Sequence, residues 1–183
     1  MMKTLIASGI AAAALVSAAS ADVTYTLTNA TFGQWDFIQA YAAGTLTGTL
    51  TGASINVTLN ASMNGTYASD LCVYVAPSPW ATFGLLQCGG GSNLYATHRY
   101  YWPNGDSGTP GTTSIGTQTF PTGSINMDAN PTQSIWIGNG FNNAGASGTW
   151  TGTITLIGVS AVPAPGAVAL LGLAGLTGRR RRA

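Results

Sequence analysis

Side chains able to do covalent or acid–base chemistry are few in this chain of 183 residues. His98 is the only histidine. A Ser/His/Asp hydrolase uses a histidine as base and an aspartate to orient it. His98, five aspartates and many serines supply those residue types, but no G-x-S-x-G elbow sets a serine at a sharp strand-to-helix turn. A strand or surface histidine is the plainer reading. Glycoside hydrolysis needs two carboxyl groups flanking the bond. The acids here are Asp22, Asp36, Asp70, Asp106 and Asp128, with no glutamate and no local pair. Zinc needs three or four His, Cys or Asp ligands, more than one histidine and two cysteines provide. The expectation is a protein without catalysis and without a required cofactor.

Binding chemistry has two candidates. Asn126, Asp128 and Asn130 place oxygen-bearing side chains at every second residue, as calcium loops do, and Asn104-Gly105-Asp106 is a second oxygen-rich turn. Ordinary Asx turns are the alternative for both. Tyr100, Tyr101 and Trp102 could stack on sugar rings, with core packing as the alternative. Consecutive residues of a strand point to opposite faces, so at least one of these three rings belongs near the surface.

Only 6% of the residues are charged, against about 25% in an average soluble domain. Of the six basic residues, Lys3 lies at the start and Arg179, Arg180, Arg181 and Arg182 at the end. The body keeps Arg99 against five aspartates, a net of −4 with no basic patch, which argues against nucleic-acid binding. Polarity comes instead from Thr, Ser, Asn and Gly. These are poor helix formers, and threonine with 25 glycines favours strands joined by tight turns.

Both ends read as targeting segments. Residues 1–21 carry Lys3, then an apolar run from Leu5 to Val16, then Ala19-Ser20-Ala21, an A-x-A cleavage site. This is a secretory signal peptide, cut by signal peptidase after Ala21. At the other end, Val162-Pro163-Ala164-Pro165 is followed by the apolar run Gly166–Gly178 and then the four arginines. The prolines hold the backbone extended, as a protease cleft requires. The apolar run, if helical, is roughly 20 Å long, short of the ~30 Å hydrocarbon core. With Pro-Ala-Pro included it could just enter a bilayer, the arginines staying cytoplasmic. Gly172, Gly175 and Gly178 give the run a smooth stripe suited to close helix packing.

Motif, apolar helix and arginine cluster, in this order at the C-terminus, resemble a PEP-CTERM sorting signal, with Ala164 standing where that family has Glu. The resemblance implies recognition and cleavage near Pro163–Pro165 by an exosortase, a membrane-embedded cysteine transpeptidase-like enzyme. It also implies transient anchoring in the inner membrane and delivery to the cell surface or extracellular matrix, where extracellular polysaccharide is a candidate partner. Export bears on Cys72 and Cys88: an even number of cysteines in a secreted chain points to a disulfide, with two free thiols as the alternative. Closing a loop of that length would stabilise by roughly 3 kcal/mol.

Between the ends, residues 22–161 form one domain. Val23, Tyr25 and Leu27 alternate with threonines, as do Ile55, Val57 and Leu59 with Asn and Thr, and Trp150, Gly152, Ile154 and Leu156 with threonines. Period-two alternation predicts half-buried strands. Further strands are expected over 34–41, 45–51, 70–75, 82–88, 94–102, 114–120 and 134–137, with turns at Asn64-Gly65, Gly89-Gly90-Gly91 and Pro103–Asp106. Phe37–Ala43 is the best helical competitor. Eight to ten short strands predict an all-β, antiparallel sandwich or jelly roll. Ser69-Asp70-Leu71 through Pro79, and Gly145 through Leu156, resemble strands of proprotein-convertase P domains, which are jelly-roll sandwiches. The expected function is an exported, sorted protein with a structural or adhesive role. The alternative is a carbohydrate- or calcium-binding module.

Overall fold

The computed structural model describes residues 22–79, 83–91 and 96–163. Ala21, Ala164, Pro165, Arg179–Arg182, the signal peptide and the C-terminal apolar run lie outside the described residues. Within them the chain is all-β: β1 (Val23–Gly33), β2 (Phe37–Tyr41), β3 (Leu46–Met63), β4 (Leu71–Ala76), β5 (Gly84–Cys88), β6 (Ala96–Tyr100), β7 (Thr113–Thr119), β8 (Ile125–Asn126), β9 (Ser134–Asn139) and β10 (Ser147–Ala161). A single 3-10 turn, Ala68–Asp70, precedes β4. Among these residues no helix is long and apolar enough to cross a membrane.

The strands divide into two sheets. One has the order β1-β10-β3-β7, with β8 also on β3, and the other β2-β9-β4-β5-β6. Alternation explains how they face each other. Leu27, Ile55, Leu59, Ile154 and Leu156 from the first sheet meet Val73, Val75, Leu86, Ile135 and Ile137 from the second in one core. Trp150 is wholly buried there, its ring 6.1 Å from that of Phe32 and its indole N–H donating to Ala68 O at 3.2 Å. The opposite face of the first sheet is polar. Thr24 and Thr155 share a hydroxyl hydrogen bond at 2.8 Å, and so do Thr31 and Thr149. None of β1, β3, β7 and β10 contains a charged residue.

Phe37–Tyr41 is a strand, as expected over 34–41, and pairs antiparallel with β9 instead of forming the competing helix. Four other local features depart from the sequence reading. The segments 45–51 and 55–59 join in one strand of 18 residues. The sheet is not purely antiparallel: β6 runs parallel to β5, while all the other pairs are antiparallel. Gly89 and Gly90 do not close a hairpin. Both have left-handed φ, and their N–H groups donate to Tyr100 O and Ser69 O, which ties the chain to other elements instead.

The expected disulfide is the fourth. Cys72 and Cys88 lie on neighbouring strands but are free thiols. The register pairs Val73 with Cys88, so Cys88 points into the core with Val73. Cys72, one residue earlier, points to the other face with Tyr74 and Ala76, under Trp35, Phe37 and Trp136. Two cysteines whose Cβ vectors point to opposite faces of a sheet cannot be bridged without moving the backbone.

Candidate functional site

A polar concavity forms where the 3-10 turn meets the loops after β5 and β6. Ala68 N–H donates to Ser107 O at 3.1 Å and Ser69 N–H to Gly105 O at 3.0 Å. Gly90 N–H donates to Ser69 O at 3.0 Å, so the turn is fastened to both loops. Its last residue, Asp70, is buried, and its carboxylate accepts the Tyr67 N–H at 2.7 Å and the N–H of Gly91. Gly91 has to be small for this: a Cβ there would stand 2.8 Å from Asp70 Oδ1. Asp106, exposed on the facing loop, accepts the Ser69 hydroxyl at 2.7 Å.

A cavity of about 340 Å³ opens between these groups, lined by Tyr67, Asp70, Gly91, Tyr101, Trp102 and Asp106 among others. Tyr67 and Tyr101 are exposed, at 44% and 58%. The Arg99 guanidinium lies 5.3 Å from the Tyr101 ring centroid and fixes that ring by a cation–π contact. Burial pushes the Asp70 carboxyl above the ordinary carboxylate range; the N–H groups of Tyr67 and Gly91 oppose this, and Asp106 adds a smaller upward push.

Burial separates the three aromatic candidates, of which only Tyr100 lies in β6. Tyr100 is half-buried against Phe120, with centroids 4.9 Å apart. Trp102 is buried and donates its indole N–H to Leu71 O at 2.7 Å. Only Tyr101 faces outward, so the three rings do not form one stacking platform. Trp136 is half-buried and donates to Ala76 O at 3.0 Å.

The oxygen-rich loop after β8 is occupied by its own chain. Asn126 Oδ1 accepts the Ala129 N–H at 3.0 Å, and Asn130 donates its amide to Asn126 O at 2.8 Å. Asp128 accepts the Thr47 hydroxyl at 2.6 Å and the Gly48 N–H at 3.0 Å, bonds that hold its carboxyl below the usual range. These oxygens close an Asx turn and clamp the start of β3, rather than converging on a cation. Among the described residues no three His, Cys, Asp or Glu side chains cluster as metal ligands.

His98, on β6, lines a smaller cavity of about 220 Å³ with Ser124, Asn126 and Asn130. No carboxylate is among the residues that line it. The imidazole packs against Gly123, where a Cβ would come within 2.7 Å of the ring.

At the C-terminal edge, Val162 N–H donates to Thr45 O at 2.9 Å, and Val162 and Pro163 are exposed beyond β10. The sequence reading passed over Tyr67 and treated Asp70 and Asp106 as unpaired. A Ser-Asp dipeptide ahead of a wholly apolar strand was the one available signal. It could not show that the chain from 103 to 108 folds back beside it. No protein family model matches the chain, and no curated protein or solved structure matches it either.

Proposed function

We propose that this protein is an exported, non-catalytic β-sandwich delivered to the cell surface or extracellular matrix, with a structural or adhesive role. In this reading signal peptidase cuts after Ala21 and an exosortase cuts near Pro163-Ala164-Pro165, after the apolar run has briefly held the chain in the inner membrane. The observation that carries it is where the sorting motif begins. The sandwich closes with Ala161 on Leu46, and the chain then leaves it exposed at Val162 and Pro163. Cleavage beyond that point leaves every described strand whole. Strand orders β1-β10-β3-β7 and β2-β9-β4-β5 are those of two interlocked Greek keys, which supports the jelly-roll form of the sandwich.

The non-catalytic part is supported by what the reactive groups do. Both thiols are buried, Asp128 clamps β3, and the cavity of His98 has no carboxylate to orient it. A charge-free outer face of hydroxyls suits a role among neutral, hydrated polymers. A second reading, a carbohydrate-binding module, is favoured by the cavity between Tyr67 and Tyr101.

The test is the intact mass of protein recovered from its native cells. The expected mass lacks residues 1–21 and the arginine cluster. Surface protein that still carries Arg179–Arg182 overturns the sorting account.

A further inference from the structure

The cavity at the 3-10 turn has walls, a floor and a rim of distinct chemistry, and together they exclude most ligand classes. Its volume of about 340 Å³ is at the small end of the roughly 300–1,000 Å³ typical of ligand pockets. Two exposed tyrosines stand at its sides, one of them held by Arg99. Asp70 lies in the floor, its carboxylate accepting the N–H groups of Tyr67 and Gly91, and Asp106 on the rim accepts the Ser69 hydroxyl. Each oxygen of an ionised carboxylate can accept two hydrogen bonds, so both aspartates keep acceptor capacity for an incoming O–H.

An anion would meet two carboxylates. A purely apolar ligand would strip water from them without replacing its hydrogen bonds. A bare cation would find the Arg99 guanidinium close by and, among the described residues, no third His, Cys, Asp or Glu beside the two aspartates to complete its ligand set. A sugar ring meets none of these objections. Its hydroxyls donate to carboxylates and its C–H face lies on aromatic rings.

We infer that this cavity binds one or two units of a neutral saccharide, with Tyr101 and Tyr67 stacking on the ring and Asp106 and Asp70 accepting its hydroxyl protons. This deepens the carbohydrate-binding reading and does not depend on how the termini are processed. A failed saccharide test leaves the sorting account standing, and a retained C-terminus leaves the cavity's ligand untouched.

The experiment titrates the full chain, solubilised in mild detergent, with neutral hexose and pentose oligosaccharides. Oligouronates serve as the charged control. Each series is followed by ligand-observed NMR with calcium and with a chelator. At least one neutral oligosaccharide binds, equally well with and without calcium, and the oligouronates do not. Tyr101→Ala weakens that binding roughly three- to tenfold, the scale of one aromatic contact. Asp106→Asn weakens it roughly tenfold or more, the scale of a hydrogen bond to a charged group. Both side chains are exposed, so both variants keep the parent melting temperature within a few degrees. The inference is overturned if the folded chain binds no neutral oligosaccharide of the panel. It is equally overturned if binding survives both substitutions, requires calcium, or favours oligouronates.

Discussion

Burial holds both thiols of this protein protonated. Desolvation is the larger cause at Cys72 and at Cys88, and the neighbouring Asp70 adds to it at Cys72. A thiolate is the reactive form, so neither sulfur is a ready nucleophile or redox partner. Treated with a thiol-reactive dye at pH 8, the native protein should react negligibly, and the unfolded protein should release two equivalents without any reductant. Zero equivalents after unfolding would mean a disulfide, and with it a different β4–β5 register. Cysteine count and export together pointed to a bond. Only the pairing of Val73 with Cys88 shows that the two sulfurs face opposite ways. A slip of one residue reverses every side chain of a strand, and no local signal in 71–76 or 84–88 fixes that offset. The aromatic trio shows the converse. Alternation places at least one ring of the trio near the surface without saying which, and the strand itself ends at Tyr100.

At the scale of elements, the alternating runs in β1, β3 and β10 were legible because one face of each is buried and the other is threonine-rich. Their length was not, because bulges shift the phase. Leu27 and Phe32 are both core residues although an odd number of steps separates them. The irregularity between Leu27 and Ala30 restores the phase, with Asn29 at φ 46°. Asn29 is fixed there by its N–H to Thr151 Oγ1 at 3.0 Å and by the amide of Asn60 at 2.8 Å. Glycine does comparable work in β10. Gly152 has φ 141°, and a Cβ there would stand 2.1 Å from Asn56 O, so β10 and β3 can pair only because the side chain is absent. Backbone strain of this kind costs about 1–3 kcal/mol. Gly152→Ala should therefore lower the melting temperature by on the order of 5 °C or more, the close contact adding to the strain. Gly33→Ala, with nothing within 4 Å of its Cβ, should stay within about 0.5 kcal/mol of the parent. Thermal melts of the two variants check this. Equal losses would mean that the β3–β10 contact is looser than described.

At the scale of the whole molecule, the described residues form a sandwich whose polar surface is made almost without charge, a property readable from composition. Composition could not say that two of the five aspartates share one cavity, because Asp70 and Asp106 meet only through the return of the 103–108 loop onto the 3-10 turn. This has a consequence for acid stability. The Asp70 carboxyl is raised above the ordinary value of 3.8, chiefly by burial. Between that value and its own, the unfolded chain binds fewer protons at this site than the folded one. Stability therefore falls as pH rises through the window, and the Asp70 contribution is fully present only below it. Asp128 acts with the opposite sign. Bonds from Thr47 and Gly48 lower its carboxyl, and the stability they give is lost only as pH falls beneath the ordinary value. Asp70 thus acts above the usual carboxylate range and Asp128 below it. On acidification from pH 7 to about pH 4.5, between those ranges and neutrality, the melting temperature should hold or rise, where most proteins begin to lose stability. Asp70→Asn should flatten that rise even if it lowers the melting temperature at every pH, since an amide must turn one N–H toward the backbone donors of Tyr67 and Gly91. A parent melting temperature that falls steadily from pH 7 to 4.5 would remove Asp70 from the buried position between the two loops, and with it the floor of the cavity.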